Sequence, residues 1–137
     1  MDRSGVVSRV LVVEDEPSLR RLCKLELEDE GHEVRTVRDS GEAWAHVEAW
    51  RPDVAVVDMR LGRDSGLAFL RRLIEAHSPI RTVIYSGYSN YGDPLTSQLA
   101  DAFVIKSVDM SELKDTVRRL VTSTRHAMPW EEPAASV

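Results

Sequence analysis

Four apolar, largely β-branched runs along the chain each stop on a polar residue. Val10-Leu11-Val12-Val13 leads into Glu14-Asp15, and Val54-Ala55-Val56-Val57 leads into Asp58. Thr82-Val83-Ile84-Tyr85 leads into Ser86, and Phe103-Val104-Ile105 leads into Lys106. Runs of this length, separated by stretches of helical period, predict buried parallel strands. In an open α/β sheet the ligand site lies beyond the carboxyl ends of the strands. The pattern therefore gathers three carboxylates, a hydroxyl and an ammonium at one edge.

The chain alternates strand and helix five times. Strands are expected at Arg9–Val13, Glu33–Val37, Val54–Asp58, Arg81–Tyr85 and Ala102–Lys106. A first helix starts at Pro17, where a missing N–H costs nothing, and runs to about Glu30. Leu19, Leu22, Cys23 and Leu27 form its apolar stripe, and Gly31 closes it. A second helix spans about Ser40–Ala49, with Ala43, Val47 and Trp50 on one side and Pro52 as its stop. The charged, glycine-containing stretch Met59–Ser65 reads as a loop. A third helix follows over about Gly66–Ala76, with Leu67, Leu70, Leu73 and Ile74 inward. Ser86–Asp93 reads as another loop, and Asp93-Pro94 opens a short helix to about Ala100. Asp109 and Glu112 have capping-box spacing at the start of a last helix through Arg125. Leu113, Val117, Leu120 and Val121 mark its buried face. Right-handed crossovers between parallel strands leave few topologies. The expected fold is α/β: a doubly wound, flavodoxin-like, five-stranded parallel sheet in order 2-1-3-4-5 with helices on both faces.

Length and charge narrow the class. At 137 residues, 42% hydrophobic and 30% charged, the chain suits one domain with a real core. Residues 9–125 form that domain, 1–8 an N-terminal extension, and 126–137 a loosely ordered tail around Trp130. A net charge of −5, with Lys and Arg scattered among acids, predicts no nucleic-acid surface. No apolar stretch suits a membrane or a signal peptide, so a cytoplasmic protein is expected. Cys23 is the only cysteine and falls on a core stripe, which excludes an internal disulfide. The four histidines show no ligand spacing.

Carboxylates forced together repel, and a hard divalent ion with oxygen ligands, Mg²⁺ above all, relieves them. Asp58 can then serve as a nucleophile toward phosphorus, forming an acyl phosphate. Lys106 would add positive charge and Ser86 a hydrogen bond to a phosphoryl oxygen. The competing reading of Glu14 and Asp15 is as caps of the first helix.

Together and in order, four motifs resemble the receiver domain of bacterial two-component response regulators. They are Val12-Val13-Glu14-Asp15-Glu16-Pro17, Asp58 through Gly66, Tyr85-Ser86-Gly87 and Phe103-Val104-Ile105-Lys106. The resemblance covers about Arg9–Arg125, and with about a dozen residues after the last helix a stand-alone, single-domain receiver is expected. It implies that Asp58 accepts phosphate from a phosphohistidine on a sensor histidine kinase or a histidine phosphotransfer protein. It further implies Mg²⁺ held by Asp15, Asp58 and the backbone carbonyl of Arg60, with Glu14 acting through water. Ser86 would be the switch hydroxyl and Phe103 the aromatic that turns inward on activation. Tyr88 and Arg60 stand where they could shield the acyl phosphate. The output would be a protein-binding face for an unknown partner, with room for a phosphorylation-dependent dimer, in a protein that is not a turnover enzyme.

Ser107 stands where the family commonly has proline, so a trans Lys106–Ser107 bond is expected. Gly62 replaces another usual proline, and Phe103 a frequent tyrosine. Two alternatives remain open: a phosphorelay shuttle, and a receiver-like binding module that no longer needs phosphorylation. A haloacid-dehalogenase-like phosphatase would need an acid where Arg60 stands. A dinucleotide-binding enzyme would need glycines where Glu14-Asp15-Glu16-Pro17 stands.

Overall fold

Apolar side chains on both faces of each strand require cover on both sides, and the helices supply it. The computed structural model describes residues 8–61, 64–87, 99–107 and 109–126, with backbone alone at 60, 61, 64, 65 and 123–126. In chain order the elements are β1 (Arg9–Val13), α1 (Pro17–Asp29), β2 (Glu33–Val37), α2 (Ser40–Trp50) and β3 (Val54–Val57). There follow β4 (Arg60–Leu61), β5 (Asp64–Ser65), α3 (Gly66–Glu75), β6 (Arg81–Ser86), β7 (Ala102–Ile105) and α4 (Ser111–His126). The main sheet has order β2-β1-β3-β6-β7, and every neighbouring pair is parallel. Counting its strands alone, the order is the expected 2-1-3-4-5.

Side-chain alternation splits the core into two layers. Val10, Val12, Val54, Val56, Val83, Tyr85 and Val104 face α1 and α4, meeting Cys23, Leu27, Leu113 and Val117. Leu11, Val13, Ala55, Val57 and Ile84 face α2 and α3, meeting Ala43, Trp50, Phe69, Leu70 and Leu73. All four β3 residues are buried, as a central strand requires. Among the described residues, no helix is long and apolar enough to cross a membrane.

Helix ends follow their local chemistry. α1 closes in a Schellman turn, with Gly31 at φ +99°, its N–H on the Glu28 carbonyl and the His32 N–H on Leu27. α2 stops at Arg51 in the left-handed region, since Pro52 disfavours helical geometry before it. Its N-terminus is capped by Asp39, whose Oδ1 accepts the Glu42 N–H at 2.9 Å.

Several expectations need correction. Leu22 is 37% exposed, so the stripe of α1 narrows to Cys23 and Leu27 with Leu19 at its edge. Ile74 is 48% exposed, and Phe69 takes the inward place instead. Leucine and isoleucine mark apolarity without fixing which of two adjacent stripes meets the sheet. The Met59–Ser65 stretch contains the antiparallel pair β4–β5, too short for a hydrophobic period to reveal. The capping box before α4 is absent. Asp109 Oδ1 accepts the Ser111 N–H two residues on, and the Asp109 N–H goes to Ser107 Oγ. The described peptide bonds include no cis bond, Lys106–Ser107 among them. Most of the helix expected over Pro94–Ala100, the loop Tyr88–Asp93 and Trp130 lie outside the described residues.

This packing predicts a contrast within α1. Leu27→Ala, at a fully buried position, lowers unfolding free energy by about 2–5 kcal/mol in urea denaturation. Leu25→Ala, 59% exposed, changes it by no more than about 0.5 kcal/mol.

Candidate functional site

The register of β1 and β3 decides where the acidic residues meet. Val13 pairs with Val57, so the residues that follow, Glu14 and Asp58, leave adjacent strands at the same height. Backbone bonds continue the ladder past the strands: Asp58 N–H to the Val13 carbonyl at 3.1 Å, Glu14 N–H to the Val37 carbonyl at 3.0 Å. Glu14 and Asp58 are buried, Asp15 is exposed, and one carboxylate oxygen from each lies within 4.8 Å of the others. Oxygen donors this close, on a rim reachable through Asp15, fit a hard divalent cation.

Glu16, not Glu14 or Asp15, caps α1. Its Oε1 accepts the Leu19 N–H at 2.8 Å and the Ser18 hydroxyl at 2.7 Å. The capping interpretation of the two preceding acids therefore falls, and both remain available to the site. Glu14 is aimed by its neighbours. Its Oε2 accepts the Glu16 N–H at 3.1 Å, and its carbonyl accepts Arg20 Nη1 at 2.9 Å.

Lys106 enters from the end of β7. Its Nζ lies 2.8 Å from Asp58 Oδ2 and 2.9 Å from Glu14 Oε1. Its N–H donates to the Ser86 carbonyl at 2.8 Å, which fixes where the side chain departs. Burial is the largest influence on the Lys106 pKa and pulls it down. Hydrogen bonds to Asp58 and Glu14 together outweigh that, so the net shift is upward and the ammonium stays charged. Glu14 goes the other way in kind: burial raises its carboxyl above the usual range, and Lys106 only partly compensates.

Ser86 is fully buried at the end of β6, on the same edge. Phe103 is half-buried against the α2/α3 layer. Arg60 has its backbone in β4, one residue beyond Met59, and Tyr88 lies outside the described residues. The structure thus joins Glu14, Asp15, Asp58 and Lys106 in one cluster and sets Ser86 on its rim.

Three contributors escaped the sequence reading. Gly66 opens α3 directly against Asp58: a Cβ there would lie 2.0 Å from the Asp58 carbonyl oxygen. Arg20 carried a signal that could have found it, since a cation in the first turn of a helix opposes the macrodipole and needs another reason to be there. Tyr85, immediately before Ser86, places its ring 5.9 Å from Lys106 Nζ.

Comparison with known proteins agrees with this geometry. A family model described as the response regulator receiver domain matches residues 10–118. The transcriptional regulatory protein TrcR of Mycobacterium tuberculosis is 34% identical over 132 residues, 95% of this chain and 50% of TrcR. The response regulator TrrA of Thermotoga maritima, solved in complex with Mg(2+)-BeF, superposes with TM-score 0.78 at 33% identity, covering 83% of this chain and 99% of TrrA. A structure of the histidine kinase ThkA in complex with TrrA matches with TM-score 0.77 at 32% identity, over 83% of this chain and 98% of that one. The chain spans about half the length of the curated relatives it matches.

Two outcomes are expected. Gly66→Ala must displace the Asp58 backbone, so circular dichroism melts show a loss of about 1–3 kcal/mol or more. The second concerns pH. A carboxyl with a raised folded pKa keeps its proton longer when folded, so the folded protein binds more protons than the unfolded chain over that window. With chelator present, the Glu14 contribution to stability is therefore full below the ordinary value of 4.5 and is lost as pH rises through the higher folded pKa. Glu14→Gln then stabilises the chelated protein at neutral pH and flattens its pH profile; a destabilised Gln variant would contradict the burial argument.

Proposed function

The chain belongs to the response regulator receiver domain family of two-component systems, and on that premise we propose that it is a phosphoacceptor taking phosphate on Asp58 with Mg²⁺. The observation that carries this reading is the cluster itself: Asp58 buried, with two further carboxylates within 4.8 Å, and 2.8 Å from the Lys106 ammonium.

Glu14, Asp15 and Asp58 would hold Mg²⁺, joined by the Arg60 backbone carbonyl, with Glu14 acting through water. When bound, the ion supplies charge neutralisation and orientation for phosphoryl oxygens. An Asp58 carboxylate oxygen attacks phosphorus in line with the leaving group. A P–O bond forms to Asp58, the P–N bond to a donor phosphohistidine breaks, and its electron pair stays on the imidazole nitrogen. Lys106 moves its positive charge from the free carboxylate to the transferred phosphoryl group. Ser86 offers its hydroxyl to a phosphoryl oxygen, and Phe103 repacks with it. Tyr88 and Arg60, two residues past Ser86 and Asp58 in the sequence, would shield the acyl phosphate from water.

A sensor histidine kinase or a phosphotransfer protein is the proposed donor, in line with the ThkA complex of TrrA. The proposed output is a protein-binding face presented in the phosphorylated state, in the cytoplasm and without turnover of a small substrate. Several curated relatives are transcriptional regulators, but this chain spans only about half of each, so DNA binding is not part of the proposal.

A small-molecule phosphodonor with Mg²⁺ should add one phosphate group by intact mass spectrometry, and chelator or Asp58→Asn should abolish it. Wild-type protein unchanged in mass, although folded and supplied with Mg²⁺, would remove the reading.

A further inference from the structure

We propose that Tyr85 is a positioning residue that ties Lys106 to the first turn of α4, so that the state of the site is felt at that helix. The inference rests on the receiver reading and adds to it a residue and a route.

Tyr85 is 3% exposed and projects into the layer between the sheet and α1/α4. At 5.9 Å from the ring centroid, the Lys106 ammonium is within cation–π reach. The phenol hydroxyl donates to Met110 Sδ at 3.5 Å. Burial pushes the phenol up to about 12, so it stays protonated and remains a donor at neutral pH.

Met110 is buried, and its carbonyl accepts the Lys114 N–H at 3.0 Å at the start of α4. Between Lys106 and that helix the chain is wound on two local bonds, Ser107 Oγ to the Asp109 N–H and Asp109 Oδ1 to the Ser111 N–H. One phenol thus touches the residue at the helix start, while its ring lies beside the lysine ammonium. A buried hydroxyl stripped of partners is disfavoured, so the segment is held in one arrangement while Lys106 keeps its position. Ser107 matters here because its hydroxyl accepts the Asp109 N–H at 3.1 Å, a bond that a proline there could not offer.

Tyr85→Phe keeps the ring and its packing and removes only the hydroxyl, and Met110→Leu removes the sulfur while keeping the volume. The expected results for Tyr85→Phe are a Mg²⁺ Kd within about twofold of wild type, and phosphate uptake from a small-molecule donor slower by about two- to tenfold. Amide NMR with Mg²⁺ and beryllofluoride should show shifts near Asp58 retained and those of Ser111–Lys114 lost. Met110→Leu should behave alike, and the double variant should be no worse than either single, because both remove one contact. If Ser111–Lys114 respond as in wild type in either variant, the phenol only fills space and the proposal falls while the receiver reading stands. If wild type itself takes up neither phosphate nor beryllofluoride, both fall together.

Discussion

Two carboxylates buried side by side are tolerable here because one ammonium stands between them. At separations of at most 4.8 Å, charges on Glu14 and Asp58 repel by roughly 3.5 kcal/mol or more at an effective dielectric of ~20. Lys106, 2.8 Å from one and 2.9 Å from the other, returns about 6 kcal/mol of attraction to each on the same scale. The attraction exceeds the repulsion, yet burial of three charged groups consumes much of the surplus. The raised Glu14 pKa is the visible remainder of that cost. An edge with this composition is a poor way to stabilise a fold and a good way to hold a cation.

The rest of the structure serves to keep that edge in register. β1 and β3 end together because their apolar residues pair one for one, with both layers filled. Past the strands the chain would be free to turn away, and three contacts prevent it. Arg20 holds the Glu14 carbonyl, Glu16 caps α1 while fastening the Glu14 side chain, and Gly66 lets α3 begin against Asp58. The lack of a side chain at Gly66 is needed for close approach, since no larger residue fits over that carbonyl.

The fold was legible in the sequence because parallel strands buried on both faces leave apolar runs, and the runs ended where the chemistry begins. The principal site was legible for the same reason: Glu14, Asp58 and Lys106 each directly follow a run, and Asp15 comes next after Glu14. What stayed hidden depends on side-chain direction. Leu22 and Ile74 are as apolar as their buried neighbours, and only their angular position on the helix turns them outward. The β4–β5 pair has two residues a side, below any readable period. Glu16 looked like part of an acidic triplet; even with the helix start read at Pro17, its capping role depended on its extended backbone and on its Oε1 turning to the Leu19 N–H. Tyr85 read as the last residue of an apolar run, although its hydroxyl reaches a methionine 25 residues on.

A signal can leave such a site only through contacts that differ between its states. The sheet is a poor candidate for the moving part, because close-packed interiors resist small displacements. Lys106 is a better one: it is shared between two carboxylates, so any group that draws its ammonium away alters both contacts at once. Its backbone is fixed to Ser86 on one side, while the segment on the other runs to α4 through short side-chain bonds. Displacement is therefore directed forward along the chain, toward Met110 and the helix it starts. On the proposed reading, charge rearrangement at the cup would become a change of position at α4, because the lysine is held behind by Ser86 and lies beside a phenol bonded to Met110 in front.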